Sequence, residues 1–314
     1  MNFEAIKKKA QKEWEAFNTF DKPRILVGAA TCGRAAGAME VWEKFKQELA
    51  SRSIDAPIME VGDLGLCYAE PCIEIAVPDG RRVLYGGVTE KTVPELIEDF
   101  ILKGNPRPDL ALCTFGEKTI EGIPTFEELP MVKKQIRVVL RNSGIIDPSN
   151  IYHYIARGGY SGLSKALQMD PEKVIEEIKS SGLRGRGGAG FPTGVKWGLA
   201  RGNKSDVKYI ICNADEGDPG AFMDRAALES DPHAVLEGLA IGAYAIGASY
   251  AYVYARAEYP LAIERLEEAI QQMEEHGFLG KNILGSGFDL TIKIKEGAGA
   301  FVCVQQRRRR GGIA

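Results

Sequence analysis

A chain of 314 residues, 45% hydrophobic and 26% charged, has the length of two or three domains and the make-up of a folded globular protein, which sets aside disordered, collagen-like and coiled-coil architectures. A formal net charge of −3 and a pI near 5.8 give no overall basic field for nucleic acid or anionic lipid. No apolar run reaches the ~18–20 residues of a membrane span, the N-terminus has no signal-peptide core, and six cysteines are too few for a disulfide scaffold; the expectation is a cytoplasmic protein, or one held at a membrane only through partner subunits.

In chain order, residues 1–23 form a charged amphipathic N-terminal extension. Residues 24–104 read as a compact α/β domain. An apolar strand (Arg24–Ala30) precedes a helix in which Ala38, Val41, Trp42, Phe45 and Leu49 recur at helical spacing, and a second strand follows at Pro57–Val61. Ile73–Val77 and Arg81–Tyr85 flank Pro78-Asp79-Gly80, a turn that joins antiparallel strands. A helix opens near Thr92 and stops at Gly104, giving the β-α-β-β-β-α layout of a thioredoxin-like domain.

Residues 105–180 read as a connector with helices. Its first part is rich in Pro and Glu, and Val132, Ile136, Val139 and Leu140 then predict a helix ending at Gly144. Asp147-Pro148 and Asp170-Pro171 each place a capping residue before a proline, so short helices should follow both. Residues 181–303 form a further α/β domain. From Val207 a strand (Val207–Cys212), helix (His233–Gly247), strand (Tyr250–Ala255), helix (Pro260–His276) and strand (Asp289–Lys295) alternate, which builds a parallel sheet with ligands beyond its carboxyl ends. Residues 304–314 are an atypical arginine-rich tail.

Two segments carry chemistry. In Leu183–Trp197, closely spaced glycines let backbone N–H groups approach an anion, and Arg184, Arg186 and Lys196 add positive charge. The alternative is a flexible surface loop; the general nucleotide-binding motifs do not fit. Asn213-Ala214-Asp215-Glu216-Gly217-Asp218 follows a strand directly, where three carboxylates repel one another unless a ligand or cation compensates; the bland reading is a solvated acidic turn. Together they suggest phosphate on one side and acceptors for ribose or amide on the other. His153, His233 and His276 show no metal-ligand spacing, and Trp42 and Trp197 read as packing residues.

The blocks SGLRGRGGAGFPTGVKW and CNADEGDPGAFMDR resemble the FMN- and NADH-binding flavoprotein subunit of NADH:quinone oxidoreductase, a subunit type that also occurs in NAD(P)-linked hydrogenases, formate dehydrogenases and electron-bifurcating complexes. The resemblance runs from about Gln135 to Cys303. It implies a Rossmann-like parallel α/β domain with FMN held by Gly185, Arg186, Gly187, Gly188, Lys196, Asn213, Asp215 and Glu216, and NAD(H) near Phe191 and Asp218. Phe301, in the matching segment Gly297–Cys303, joins the cofactor-binding positions. The implied function is hydride transfer from NAD(P)H to FMN and one-electron delivery to iron–sulfur clusters of partner subunits in a larger redox complex. Catalysis would rest with the flavin rather than with a side chain.

Residues 24–104 resemble the thioredoxin-like two-iron ferredoxin domain fused to some of these subunits. Of its four cysteine positions Cys32 and Cys67 remain, and Asp63 occupies another. Two thiolates and a hard carboxylate make a poor cage for a two-iron cluster, so loss of the cluster is the expectation. Cys67 and Cys72 are spaced for a redox pair, with buried free thiols the commoner outcome. At the other end, Val304-Gln305-Gln306 stands where the family has Gly-Glu-Glu, followed by Arg307–Arg310, and the family's helical four-iron domain is missing. The chain therefore reads as truncated or altered at its end, with an incomplete FMN domain whose apolar surfaces on His233–Gly247 and Asp289–Lys295 stay uncovered. The competing reading is an inactive remnant, or an assembly protein, that binds neither cofactor.

Overall fold

The N-terminal stretch forms helix α1 (Phe3–Asn18), burying Ile6 and Ala10. The structure, a computed structural model, describes residues 3–19 and 21–298. It divides into two units, one mainly Gln11–His153 and the other mainly Tyr154–Leu228 with the chain from Pro232 onward.

In the first unit β1 (Arg24–Gly28) is buried along its length. Then come α2 (Thr31–Ala35), α3 (Ala38–Ser51), β2 (Ile58–Val61), β3 (Ile73–Ala76) and β4 (Arg82–Tyr85). Helix α4 (Val93–Leu96) continues as a π-helical turn through Leu102, and β5 (Ala111–Thr114) follows. The strand order is β2-β1-β3-β4-β5. β1 runs parallel to β2 and antiparallel to β3, and β4 is antiparallel to β3 and β5, the thioredoxin-like arrangement expected, extended by one strand. Alternation sends Ile25, Val27, Ile73, Ile75, Val83 and Tyr85 to one face, where Val41, Phe45 and Leu49 of α3 and Leu96 and Phe100 close the core.

Two expectations fail here. Ala111–Thr114, expected in the connector, instead pairs with β4 through Leu84↔Cys113; an apolar run between Pro108 and Gly116 is a strand signal that the surrounding Pro and Glu content masks. The helix expected over Val132–Gly144 is absent, replaced by successive turns with Ile136 91% exposed. Ile136, Val138 and Val139 are β-branched and poor helix formers. Arg137 instead donates to the carbonyls of Leu64 (2.9 Å) and Leu140 (3.3 Å), fixing a non-helical path.

In the second unit α5 (Ile151–Ala156), α6 (Ser161–Ala166) and α7 (Pro171–Ser180) precede α8 (Thr193–Gly202). The remaining elements are β6 (Tyr209–Ala214), α9 (Met223–Ser230), α10 (Pro232–Ile246), β7 (Tyr250–Arg256), α11 (Pro260–Glu275) and β8 (Thr291–Gly297). The strands pair in parallel in the order β6-β7-β8, with Tyr209 opposite Tyr250 and Tyr250 opposite Thr291. The buried carboxylate of Glu237 on α10 accepts the Tyr154 hydroxyl and the amides of Tyr160 (2.8 Å) and Leu163 (2.9 Å), tying α6 to α10.

The expectation of an uncovered His233–Gly247 is overturned, since Leu236, Leu239, Ala240, Ala243 and Ile246 of α10 are all buried. Leu290 and Ile292 are buried likewise. Exposed apolar surface lies instead on β6 and β7, where Tyr209, Ile211 (61% exposed) and Tyr250 share the sheet face opposite Ala251, Val253 and Ala255.

Candidate cofactor site

The glycine segment is a closed loop leading into α8. Arg184 and Pro192 form an antiparallel bridge at its base; the Gly185 amide donates to the Phe191 carbonyl (2.8 Å) and the Thr193 amide to the Leu183 carbonyl (2.9 Å). Inside the loop the glycines serve different ends. Gly188 has φ +99°, a conformation L side chains rarely adopt, and a Cβ there would project into open space. Gly194, on α8, is a packing glycine: a Cβ would lie 2.6 Å from the Lys179 nitrogen of α7.

Among the described residues the amides of Gly187 and Gly188 donate to no protein acceptor. The Arg184 side chain turns back on the Gly190 carbonyl (2.5 Å), and that of Arg186 on the Arg184 carbonyl (2.8 Å). No carboxylate pairs with Arg184, Arg186 or Lys196 among the described residues, and Lys196 sits exposed in the first turn of α8. Free amides, three cations and an accessible helix start are the donor set for a phosphate. Phe191, at the loop's rim, is 50% exposed.

The acidic segment leaves the carboxyl end of β6. Asn213 is exposed and its side-chain oxygen accepts the Asp215 amide (3.1 Å). Asp215 is half-buried and Asp218 exposed. Glu216 is held from several directions. Its carboxylate accepts the amides of Asp224 (3.1 Å) and Arg225 (3.2 Å) at the start of α9, while its carbonyl accepts from Arg256 (2.7 Å) and Tyr259 (3.3 Å). Burial, and then the Glu216 charge, raise the Asp224 carboxyl above its ordinary value. Burial pushes Cys212 up to about 11, with Asp224 adding to it, so this cysteine stays a thiol. No hydrogen bond or ion pair links the glycine loop to the acidic segment among the described residues. Sequence reasoning missed Arg256 and Tyr259 as anchors of that segment, since they lie some forty residues downstream with no local pattern. Phe301 and the Val304-Gln305-Gln306 replacement lie outside the described residues.

In the first unit, Cys32 on α2, Asp63 after β2 and Cys67 are brought together, their donor atoms all within 4.8 Å of one another. The Cys67 thiol is 3.3 Å from Asp63 Oδ2. Burial, then the Asp63 charge and the Cys32 thiol, push Cys67 up to about 12. Cys67 and Cys72, whose spacing allows a redox pair, are both free thiols: Cys67 is exposed, and Cys72 is buried with its thiol on the Ala69 carbonyl (3.4 Å). Trp42 and Trp197 both pack against hydrophobic clusters, as read from the sequence.

Comparison with known proteins agrees with the motifs. Residues 178–308 match the model of the Nuo51 FMN-binding domain. The chain is 63% identical over 174 residues to the NADP-reducing hydrogenase subunit HndC of Solidesulfovibrio fructosivorans, covering 55% of this chain and 35% of the relative. It is 54% identical over 157 residues to an NADH-quinone oxidoreductase subunit of Aquifex aeolicus, covering 50% and 37%. The chain thus spans little more than a third of the length of these relatives. Among solved structures, an NAD+-reducing [NiFe]-hydrogenase in the H2-reduced state aligns with TM-score 0.45 and 22% identity, over 95% of this chain and 50% of that one. The glycine loop and the acidic segment both lie within residues 178–308, the part of the chain that is similar to the Nuo51 FMN-binding domain.

Proposed function

We propose that this chain carries the FMN-binding part of an NAD(P)H dehydrogenase flavoprotein subunit, passing reducing equivalents to iron–sulfur partner subunits of a larger redox complex. The observation that supports it most is the glycine loop, in which unpaired amides at Gly187 and Gly188 stand beside Arg184, Arg186 and Lys196 with no anionic partner. FMN fits such a loop through its phosphate, because an added Cβ at Gly187 or Gly188 meets no protein atom and the space is available to a ligand. Bound there, FMN would accept a hydride from NAD(P)H and release electrons singly.

The chain's own residues hold, orient and screen. Gly185, Arg186, Gly187, Gly188 and Lys196 would hold the phosphate. Asn213 and Asp215 offer exposed or half-exposed acceptors to hydroxyls and amides. Glu216 keeps the acidic segment in place by capping α9. Phe191 offers an aromatic face and Asp218 an acceptor for NAD(H). No helix among the described residues is long and apolar enough to cross a membrane, and none of the five described cysteines forms a disulfide; a cytoplasmic location with attachment through partners suits both.

The test is reconstitution of the purified chain with FMN, followed by anaerobic addition of NADH or NADPH. One flavin per chain, bleached by the nucleotide, is the expected result. Absence of saturable FMN uptake would favour an assembly protein that binds neither cofactor.

A further inference from the structure

The thioredoxin-like resemblance implies a two-iron cluster, and the residues present do not fit one. Such a cluster takes four cysteine thiolates, or two of them replaced by histidine. Around Cys32 and Cys67 the only further donor in the described group is the Asp63 carboxylate. Cys72 is buried with its thiol on Ala69, Cys113 lies in the hydrophobic cluster of Leu84, Phe126 and Leu129, and His153 lies against Trp14 and Phe17.

What remains is a different kind of site. Two thiols and one carboxylate come from three separate parts of the fold: α2, the turn after β2, and the single 3-10 turn Cys67–Ala69. Asp63 is fixed for the purpose, since its Oδ1 accepts the Gly65 amide (2.6 Å) while Oδ2 faces Cys67 Sγ at 3.3 Å. Tetrahedral zinc, with bonds of ~2.3 Å to sulfur and ~2.0–2.2 Å to oxygen, sets its donors roughly 3.5–3.8 Å apart. The trio, all within 4.8 Å, needs to close by at most about 1.3 Å to reach that spacing. Soft thiolates with one carboxylate suit zinc better than magnesium or calcium, which take oxygen ligands.

We propose that Cys32, Asp63 and Cys67 bind a single Zn2+, with water in the fourth position. Binding releases two thiol protons to solvent and leaves a net charge of −1 on the metal and its three protein ligands. The Arg137 guanidinium, which feels the Asp63 charge and is anchored on the Leu64 carbonyl, offsets that charge. Cys67 is exposed, so the site opens to solvent and exchanges metal without unfolding.

The full chain, stripped of metal and kept reduced, is titrated with Co2+ as a spectroscopic stand-in and then with Zn2+. One Co2+ per chain, a thiolate-to-cobalt charge-transfer band and displacement by Zn2+ are expected. Cys67→Ser should weaken binding at least tenfold and diminish the band, whereas Cys212→Ala should change neither. Asp63→Asn, which keeps the oxygen that holds Gly65, should weaken binding by a similar factor while preserving the two-thiolate band at saturation; it keeps the proposal testable should Cys67→Ser not fold. A band that survives Cys67→Ser, no stoichiometric uptake, or a stable two-iron spectrum after anaerobic reconstitution with iron and sulfide would each overturn the proposal. Metal uptake at this site does not depend on flavin binding, and the two are measured separately.

Discussion

His233 and Glu216 show how much a single side chain can decide in this fold. His233 is buried on α10, with Nδ1 2.7 Å from the Tyr160 hydroxyl and Nε2 3.2 Å from Gln272 Oε1, a pairing that suits the neutral ring. Burial lowers its pKa from 6.5 to about 4. The unfolded chain therefore binds a proton that the folded one excludes between those values, and stability falls as pH drops through this window, by up to ~1.4 kcal/mol per pH unit. Urea titrations at pH 7, 5.5 and 4.5 should show this acid loss, and His233→Gln should flatten it; an unchanged slope in the variant would assign the effect elsewhere. Glu216→Ala removes the acceptor for two amides at the start of α9 and should cost ~1 kcal/mol of stability, read from the same titrations. The motif resemblance makes Glu216 an expected cofactor-binding position. Its capping role depends on a chain reversal that brings residue 224 back to it, and no local spacing reveals that.

At the scale of elements, legibility follows local periodicity. The three strands β6, β7 and β8 and the helices α10 and α11 match their sequence reading to within a few residues, because strand runs and long helical faces alternate there, whereas the shorter α9 is not among the expected elements. Failures come where tertiary contacts decide. β5 exists through its pairing with Leu84, and the turns over 132–144 follow Arg137 onto the Leu64 carbonyl. The α7–α8 contact gives a prediction of this kind. Gly194→Ala would gain ~1 kcal/mol in helix propensity, but its Cβ would meet Lys179 backbone atoms at 2.6 and 2.9 Å, and such overpacking typically costs ~1–3 kcal/mol or more. The clash should win, so thermal unfolding of Gly194→Ala should occur below that of the parent; an equal or higher midpoint would mean that α7 gives way freely.

For the whole molecule, the two units carry separate chemistry: a thioredoxin-like sheet with a Cys–Asp–Cys cluster, and a parallel sheet preceded by the glycine loop. Parallel sheets are usually covered on both faces, yet Tyr209, Ile211 and Tyr250 are exposed on one. Hydrophobic-dye binding should fall in Ile211→Thr with stability changed by no more than ~0.5 kcal/mol; undiminished dye binding would place the accessible apolar surface elsewhere. The two motifs make the glycine loop and the acidic segment stand out in the sequence, whereas the Cys32–Asp63–Cys67 group depends on which side chains the fold brings together. FMN and riboflavin differ only in the phosphate, so their relative affinity for the full chain reports directly on the glycine loop. If Gly187, Gly188 and Lys196 hold that phosphate, FMN should bind at least tenfold more tightly than riboflavin, ~1.4 kcal/mol, and Gly188→Val should erase the difference. Equal affinities in the parent chain, or an FMN advantage that persists in Gly188→Val, would contradict the assignment of the loop.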